Sequence, residues 1–586
     1  MKNYVMSERI DEKVLPSERD FKKYKYLLLI FAYLIPLILL IKFSFYPSLY
    51  SYDSNGHVLV SDYIIANFHF PDIHTWIKLG PSGSGILPLF NCFFSITSIS
   101  TNISTYYIGK YIFPALSFTL IFIFACLILK SLDKAKLAFP FLILCLFFVF
   151  ISPKVLQNLA CSVRPEILGI LLLLAFKYSY IRFIKDGQSK DIIISLIIGI
   201  TIISTAYLVG LFFALCFLIY GIFFGDKKVC KYKIINEFTI AFALFAFFWG
   251  IAIFGGSDIY DELHYIFRGM NKFVLFLVPL FFVVLIKKLV PIGINKFKGV
   301  LPGSRFKNLL ERYQTVLVLS LFVVLFVGLK MISTTTDLKI FFANNIYWIV
   351  FIPLSFLYML NHIVNGNKDR SISFLSCFLI FSYFFSFVFL LLLYTGIATF
   401  YSTDWIIRFI GYPFFEMTVF GMFFVRDVFE QSRLKNLKTY SKLALLLLLL
   451  ISNIFVTAYY VDKPGDAYPL MVASDPVLSA EKYVIEGVPP EYIAGFPAFP
   501  AFIYENFDFK LEMSYHTKSL SYIITNLAES KKPNQDAILF VNIDQIKKYG
   551  RVDHELDLIK ESELSKIEQK PFLNKIYSND EIFIYR

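Results

Sequence analysis

The fold is decided by the first long apolar run, "YLLLIFAYLIPLILLIKFSF", Tyr26 to Phe45. An α-helix needs about 20 apolar residues to cross a hydrocarbon core of about 30 Å, and this run has that length. A polar segment, residues 1–23, precedes it, and no small-residue cleavage site follows it. We therefore interpret the run as a permanent membrane helix and not as a signal peptide.

Similar apolar runs recur along most of the chain. Hydrophobic residues make up 57% of the sequence and charged residues 17%, whereas soluble domains contain about 45–50% and about 25%. The sequence predicts an all-α polytopic membrane protein with about 13 transmembrane helices. Only a brief Ser-Thr-Ala turn separates the fifth span from the sixth, so these two are short or broken helices. The predicted spans are 24–45, 111–130, 137–152, 162–181, 191–205, 207–224, 237–254, 273–290, 314–332, 346–362, 373–395, 406–425 and 443–460.

The formal net charge of +12 is explained by membrane topology and does not indicate nucleic-acid binding. Lysine and arginine are concentrated in the loops that a cytoplasmic N-terminus would place inside the cell. We therefore predict a multi-pass protein of the cell membrane with its N-terminus in the cytoplasm. The seven cysteines lie mostly within apolar runs. That pattern predicts small core residues and neither a disulfide framework nor a zinc site.

The polar regions divide the chain into three parts. Residues 1–23 are a cytoplasmic tail, and 24–460 form the transmembrane domain, which includes a long first exterior loop at 47–110. An odd number of spans places 461–586 outside. There, short strand runs such as "AILFVNID" alternate with helical patterns, and the last segment resembles a hairpin around Ser578-Asn579-Asp580. We predict a small exterior α/β domain without a Gly-rich phosphate loop, a nucleophile elbow or a metal cluster.

The first exterior loop contains an unusually polar stretch, "YSYDSNGHVLVSDYI", Tyr50 to Ile64. Asp53 follows the first span closely, with His57 nearby and an Asn-Gly pair that is typical of a turn. A carboxylate beside the bilayer can accept a proton from a substrate or orient it, and it can bind a divalent cation. The alternative is a solvated loop with helix-capping aspartates. Asp62 is predicted to be a surface carboxylate.

Two charged residues lie at the start of the fourth span, in "CSVRPEILGILLLLAF". Arg164 and Glu166 flank Pro165, a residue that is common in the first turn of a helix. Charges at the edge of a span are costly unless they are paired or solvated. The two side chains are therefore either an interfacial ion pair or a phosphate-binding cation next to a second functional carboxylate.

The twelfth span begins within "YSTDWIIRFIGYPFFE", Tyr401 to Glu416. Arg408 lies just inside its outer end, where an arginine either binds phosphate or extends its charge back to the interface. Glu416 lies about two turns deeper, and the sequence identifies no partner for it. The exterior segment "GGSDIYDELHYIFRG" adds Asp258 and Asp261, which are either solvated or bind substrate.

These features together resemble the GT-C superfamily of membrane glycosyltransferases, which includes oligosaccharyltransferase catalytic subunits, protein O-mannosyltransferases and lipid A aminoarabinose transferases. Among these proteins the chain is most similar to prokaryotic, archaeal-type members. The features are an early aspartate in a large first exterior loop, "RPE" at the start of the fourth span, a late arginine in "WIIRFIGYP" and an exterior soluble domain at the end.

The resemblance implies that a sugar is transferred, with inversion, from an isoprenoid phosphate or pyrophosphate donor to a glycan, lipid or protein acceptor at the outer face. It implies that Asp53 acts on the acceptor or on a metal, that Glu166 is the second carboxylate and that Arg408 binds donor phosphate. Arg164 is a further phosphate-binding candidate, and His57 either binds substrate or orients the loop. If the enzyme uses Mg²⁺ or Mn²⁺, Asp53 and Glu166 would bind the ion. No "WWD"-type motif occurs in the tail, which argues against peptide N-glycosylation.

Two other functions are open from the sequence. One is a non-catalytic membrane protein for the assembly of surface polysaccharide, and the other is a lipid-carrier transporter or flippase. A transporter typically shows charges at mid-membrane positions and repeated halves. Here most charges lie at the ends of predicted spans, and we find no internal repeat.

Overall fold

The computed structural model describes residues 18–44, 52–70, 89–132, 143, 145–147, 149–150, 164–225, 236–254, 271–298, 320, 323, 326–327, 338–364, 369–394, 408–431, 492–496, 510–513, 537–542, 575–578 and 582–585. The helices are α1 (Glu18–Ser44), α2 (Tyr52–Asn67), α3 (Leu89–Thr101), α4 (Thr105–Leu132), α5 (Pro165–Asp186), α6 (Ser189–Thr205), α7 (Tyr207–Phe224), α8 (Glu237–Phe254), α9 (Lys272–Lys298), α10 (Leu338–Val364), α11 (Arg370–Tyr394) and α12 (Phe414–Gln431). The strands are β1 (Tyr492–Phe496), β2 (Lys510–Met513), β3 (Ala537–Asn542), β4 (Lys575–Ser578) and β5 (Ile582–Tyr585).

Within these residues, five helices are long and apolar enough to cross a membrane. They are α4, α5, α7, α8 and the part of α11 from Arg370 to Val388. Each coincides with a predicted span, and shorter apolar helices accompany them. The chain is therefore a polytopic membrane protein, as its composition predicts. The total of about 13 transmembrane helices stays a prediction.

One extended residue separates α6 from α7. Ala206 has φ −138° and ψ 104°. Its N–H still donates to the Ile202 carbonyl at 3.1 Å, and its carbonyl accepts from Gly210 N–H at 2.7 Å. Because the backbone groups beside the break remain hydrogen-bonded, the interruption is compatible with apolar surroundings. The fifth and sixth predicted spans are thus two helices of 17 and 18 residues.

The interpretation of Tyr50 to Ile64 as a loop is wrong over most of its length. Residues 52–67 form α2, and the Asn-Gly pair at 55–56 lies inside this helix. Glycine is weaker than alanine in a helix by about 1 kcal/mol, but packing of an apolar face usually outweighs such preferences. Here Val58 and Val60 are buried, and α2 packs against α3. Tertiary contact therefore overrides the local turn signal.

Several helix ends contact each other in the structure, and the predicted topology assigns them to the same side of the membrane. Arg370 at the start of α11 pairs with the buried carboxylate of Glu237 at the start of α8. Lys287 in α9 donates to the carbonyl of Ile222, near the end of α7, at 2.8 Å. These contacts agree with the predicted alternation of the spans. Which side faces the cytoplasm stays a prediction.

The described strands near the C-terminal end form one five-stranded sheet with the order β2-β1-β3-β5-β4. Strand β1 pairs in parallel with β2 and β3, whereas β5 pairs antiparallel with β3 and β4. The β4–β5 pairing is the one expected of a hairpin around residues 578–580. Parallel strands need long crossover connections, and those connections lie outside the described residues. The exterior α/β domain at 461–586 stays a prediction.

Helix α5 packs against α4, α6, α7 and α11 and belongs to the main hydrophobic core. Gly169 allows its closest approach: a Cβ atom there would lie 2.8 Å from the Ala206 Cβ and 3.1 Å from Val209. Both neighbours are short side chains of limited mobility. The break at Ala206 therefore fits against α5 because Gly169 has no side chain.

We expect the substitution Gly169→Ala to lower the free energy of unfolding by about 1–3 kcal/mol, the usual cost of overpacking a core. The matched control is Gly250→Ala, because a Cβ there would make an ordinary 3.5 Å contact with Phe276. That helical replacement should be neutral or stabilising by up to about 1 kcal/mol. Denaturation of the purified protein in detergent measures both values, and equal effects would contradict the close-packing argument.

Candidate active site

The end at which α5 begins contains the first charged group of the candidate site. Arg164 caps the helix with extended backbone (φ −128°, ψ 146°), and Pro165 occupies the first helical position. Glu166 follows in the first turn, where the helix dipole stabilises a carboxylate. Both charged side chains are partly exposed. The predicted placement of Pro165 in the first turn is confirmed.

The Glu166 carboxylate pairs with a residue that lies 242 positions later in the chain. Arg408 Nη1 donates to Glu166 Oε1 at 2.7 Å, and the two side chains are 26% and 23% exposed. A charge-assisted bond of this length is among the stronger hydrogen bonds in proteins. The structure thus brings together two residues that the sequence indicated separately.

Arg408 lies on a helical turn, residues 408–411, which precedes α12. Pro413 has no N–H group, so it cannot donate to the Phe409 carbonyl as the fourth residue after it normally would. The Ser382 hydroxyl on α11 donates to that carbonyl instead, at 2.7 Å. The Phe409 ring is fully buried and packs edge-on against Phe385 with centroids 4.5 Å apart. Both contacts hold the backbone next to Arg408.

A second ion pair joins α5 to α12 deeper in the bundle. Lys177 Nζ on α5 lies 2.5 Å from Glu416 Oε1 on α12, and both side chains are 0% exposed. The ammonium also lies 4.4 Å from the centre of the Phe378 ring, a distance at which a cation is attracted to an aromatic face. The partner that the sequence did not identify for Glu416 is therefore Lys177.

The sequence predicts Lys177 near the end of the fourth span, 162–181, and does not mark it as a candidate site residue. Helix α5 continues to Asp186, and Lys177 is buried in its middle. The apolar run ends at Phe176 in the sequence, and a lysine there is typical of a span boundary. The signal that indicates otherwise is Glu416, because a carboxylate inside a span requires a cationic partner.

His57 lies in the interface between α2 and α3. Its Nδ1 is 3.3 Å from Asn91 Oδ1, and Asn91 Nδ2 donates to the His57 carbonyl at 2.9 Å. The ring also packs edge-on against Phe90. Ser61 and Ser95 continue this polar contact along the two helices. The contacts hold α2 in a fixed orientation, so they favour an orienting role for His57 over direct substrate binding.

Helix α2 and the start of α5 also share a small apolar cluster. Its buried members are Val58, Phe90, Phe94, Ile108, Phe113 and Ile167. Ile167 follows Glu166 directly, and Val58 lies five residues, about 7.5 Å of helix, after Asp53. The backbone of Asp53 is therefore close to this cluster, in the first turn of α2.

No protein-family model and no curated protein sequence matches the chain. Among solved structures, the apo form of the oligosaccharyltransferase from Archaeoglobus fulgidus is similar at a TM-score of 0.54 and 13% identity, over 97% of this chain and 75% of that chain. The same enzyme tethered to an acceptor peptide gives 0.53 and 14%, over 97% and 74%. The chain shares the overall fold of this oligosaccharyltransferase, and the resemblance stated from the sequence is confirmed for the fold. ArnT from Cupriavidus metallidurans bound to undecaprenyl phosphate gives a TM-score of 0.36 and 8% identity, over 96% and 97%.

Within this fold, the predicted site residues divide into three groups. Glu166 and Arg408 are in contact, and Arg164 is adjacent in the chain. The backbone of Asp53 belongs to α2, but its side chain lies outside the described residues, as do Asp258 and Asp261 altogether. The roles assigned to all of these residues stay predictions.

Asp62 is exposed, as predicted for a surface carboxylate. It accepts a hydrogen bond from the Thr105 hydroxyl at 2.5 Å. The surrounding protein partly desolvates the carboxyl and raises its pKa above the ordinary value, while the bond to Thr105 opposes this shift more weakly. Asp62 therefore joins α2 to the start of α4 and has no direct link to the Glu166–Arg408 pair.

The described part of the chain contains no group of three or more histidine, cysteine, aspartate or glutamate side chains arranged to bind a metal. Glu166 would be a poor ligand for Mg²⁺ or Mn²⁺ in this arrangement, because a guanidinium 2.7 Å from its carboxylate repels a cation at the same group. The proposed metal role of Glu166 thus fits the structure poorly.

We expect Lys177→Met or Glu416→Gln to lower the free energy of unfolding by about 3–5 kcal/mol if the remaining partner stays charged, because each leaves an unpaired group in a dry core. The double variant Lys177→Met/Glu416→Leu should recover most of that loss. Denaturation of the purified proteins gives all three values. Additive losses in the double variant would show that the two groups do not stabilise each other.

We expect Ser382→Ala to lower the free energy of unfolding by about 1–3 kcal/mol, since it removes the hydrogen bond that the Ser382 hydroxyl donates to the buried Phe409 carbonyl. Ser373→Ala on the same helix is the matched control. The Ser373 hydroxyl bonds the carbonyl of Asp369, which also accepts from the Ser373 N–H. Its loss should cost less than half as much in the same unfolding assay.

Proposed function

We propose that the protein is a GT-C glycosyltransferase that moves a sugar from an isoprenoid-phosphate donor to an acceptor at the outer face of the membrane, with inversion. The observation that carries the proposal is the Glu166–Arg408 pair at the end where α5 begins. This pair occurs in a chain whose fold is that of the archaeal oligosaccharyltransferase. Because the archaeal protein with this fold is named as an oligosaccharyltransferase, the shared fold supports sugar transfer as the reaction class.

Arg408 is the proposed ligand of the donor phosphate. A guanidinium matches phosphate oxygens with its planar set of N–H donors, and charge-assisted bonds are strongest where water is scarce. We infer that the donor phosphate competes with Glu166 for Arg408. Arg164 and the N-terminus of α5 would add positive potential beside the same group.

Asp53 is the proposed base or orienting carboxylate. The acceptor atom attacks the anomeric carbon and forms the new glycosidic bond while the bond from that carbon to the phosphate oxygen breaks. The acceptor proton passes to the Asp53 carboxylate, and the lipid phosphate leaves with the bonding electrons. Phosphate is already a good leaving group, so the enzyme needs mainly the base and a cation that stabilises the departing charge.

Other residues have supporting roles in this proposal. His57 holds α2 in place and so orients Asp53. Asp258 and Asp261 are proposed to contact the acceptor. Glu166 keeps Arg408 in place until the donor arrives and is then the second carboxylate of the site. The acceptor is a glycan, a lipid or a protein, and the tail has no "WWD"-type motif for binding a peptide sequon.

The topology is also part of the proposal. The N-terminal tail 1–23 is cytoplasmic, residues 24–460 form the membrane domain, and the α/β domain 461–586 is outside. In this arrangement α5 and α12 both run inward from the outer face. The Glu166–Arg408 pair then lies at the outer leaflet, where an exported lipid-linked donor would be present.

The buried Lys177–Glu416 pair raises the alternative of a transporter, because intramembrane charges often mark transport pathways. Both side chains are 0% exposed and contact each other. A transport pathway requires such groups to reach water, and these do not. The pair therefore does not favour transport over transfer.

We expect Asp53→Asn to lower the rate of sugar transfer about 10²–10⁴-fold, the usual contribution of a general base. Arg408→Ala should lower it about 10²–10³-fold, as loss of a charge-stabilising donor does. Consumption of labelled polyprenyl-phosphate sugars by the purified protein measures both rates.

Arg426→Ala is the matched control, because Arg426 lies on α12 away from Arg408 and pairs with the neighbouring Asp427. It should keep the activity of the unaltered protein. Full activity of both Asp53→Asn and Arg408→Ala would refute the site assignment. A lack of donor consumption by the unaltered protein, combined with movement of the lipid carrier, would favour the transporter.

A further inference from the structure

Two ion pairs connect the same pair of helices at different depths. Glu166 and Lys177 lie on α5, and their partners Arg408 and Glu416 lie on α12 and the turn before it. At 1.5 Å per residue the two anchor points are about 16 Å apart on α5 and about 12 Å apart on the other segment. The long side chains of arginine and lysine can span the difference. The two helices therefore run in the same direction with a defined axial offset.

Apolar packing alone defines such an offset weakly. Lipid tails are as apolar as leucine, so helices in a membrane have no strong hydrophobic drive toward one register. Helix α12 packs mainly against α10, where the Tyr347 hydroxyl donates to the Phe414 carbonyl at 2.9 Å. Its position relative to α5 is a separate matter, and there the two ion pairs join the segments. A pair of opposite charges is satisfied in one alignment only.

Stability does not by itself account for the Lys177–Glu416 pair. Replacement of a buried ion pair by apolar side chains of similar volume is often neutral or stabilising. The best attested use of a buried polar pair is to specify register. Among the described residues, neither Lys177 Nζ nor the Glu416 carboxylate makes a further hydrogen bond of good geometry. We therefore interpret the ion pair as a contact that aligns the two segments.

We propose that Lys177 and Glu416 are positioning residues for Arg408. Their ion pair sets the axial register of α12 along α5 and thereby places the turn 408–411 opposite Glu166. The Ser382–Phe409 bond then holds this turn across the interruption at Pro413. This inference rests on the proposed function only in that Arg408 binds the donor phosphate.

The first measurement is the affinity for undecaprenyl phosphate of the purified double variant Lys177→Met/Glu416→Leu. Its stability should be close to that of the unaltered protein, whereas its dissociation constant should rise roughly tenfold, the equivalent of one weakened charge-assisted hydrogen bond. The matched control is Arg370→Met/Glu237→Leu, which removes a buried-carboxylate pair at the other end of the bundle. The control should leave the affinity unchanged.

The second measurement needs no donor. In a background without the seven native cysteines, Glu166→Cys and Arg408→Cys are joined by a short homobifunctional thiol reagent. The cross-linking yield should fall several-fold when Lys177 and Glu416 become Met and Leu. If that variant does not fold, Glu416→Asp is used instead. It keeps both charges but shortens the acidic side chain by one methylene, and it should also lower the cross-linking yield.

The outcomes separate the two proposals. Unchanged cross-linking in a folded variant would overturn the positioning role, whatever the protein binds. Reduced cross-linking together with no binding of undecaprenyl phosphate by the unaltered protein would support the register and refute the donor site. Reduced cross-linking together with weaker binding would support both.

Discussion

The structure depends on the ion pair between Lys177 and Glu416, two side chains that are fully buried in contact with each other. Each charge would be very costly alone in a medium of low dielectric constant, so neither helix can present its charged residue without the other. The pair joins α5 to α12 deep in the bundle, and the Glu166–Arg408 pair joins α5 to the turn before α12. In the proposed positioning role, the deep pair places Arg408, late in the chain, opposite Glu166 at the start of α5.

The backbone of the site follows from the same need to satisfy polar groups without water. Pro413 cannot donate to the Phe409 carbonyl inside the bundle, and Ser382 on a third helix donates to it. At Ala206 the chain instead keeps its own hydrogen bonds on both sides of the break. In both places the backbone can leave regular helical geometry inside the bundle because its polar groups stay hydrogen-bonded.

The membrane helices could be predicted from the sequence because length and apolar composition are local properties. The helix at Tyr50 to Ile64 could not, since Asn55 and Gly56 favour a turn locally while burial of Val58 against α3 favours a helix. The site could be predicted in part. Glu166 and Arg408 each stand out as charges at span ends, but their contact over 242 residues has no local signal. Lys177 was missed because a lysine after an apolar run has the same appearance as a span boundary.

The two ion pairs differ in their exposure to water, and their proposed roles differ for that reason. The deep pair is sealed from water, so its charges cannot exchange partners and it can only fix geometry. The pair at the start of α5 is about one quarter exposed, so an incoming anion can reach the guanidinium and replace the carboxylate. A phosphate-binding arginine needs both properties: a backbone that does not move and a charge that can change its partner. In the proposed reaction, the Lys177–Glu416 pair supplies the backbone position, and the Glu166–Arg408 pair supplies the exchangeable charge.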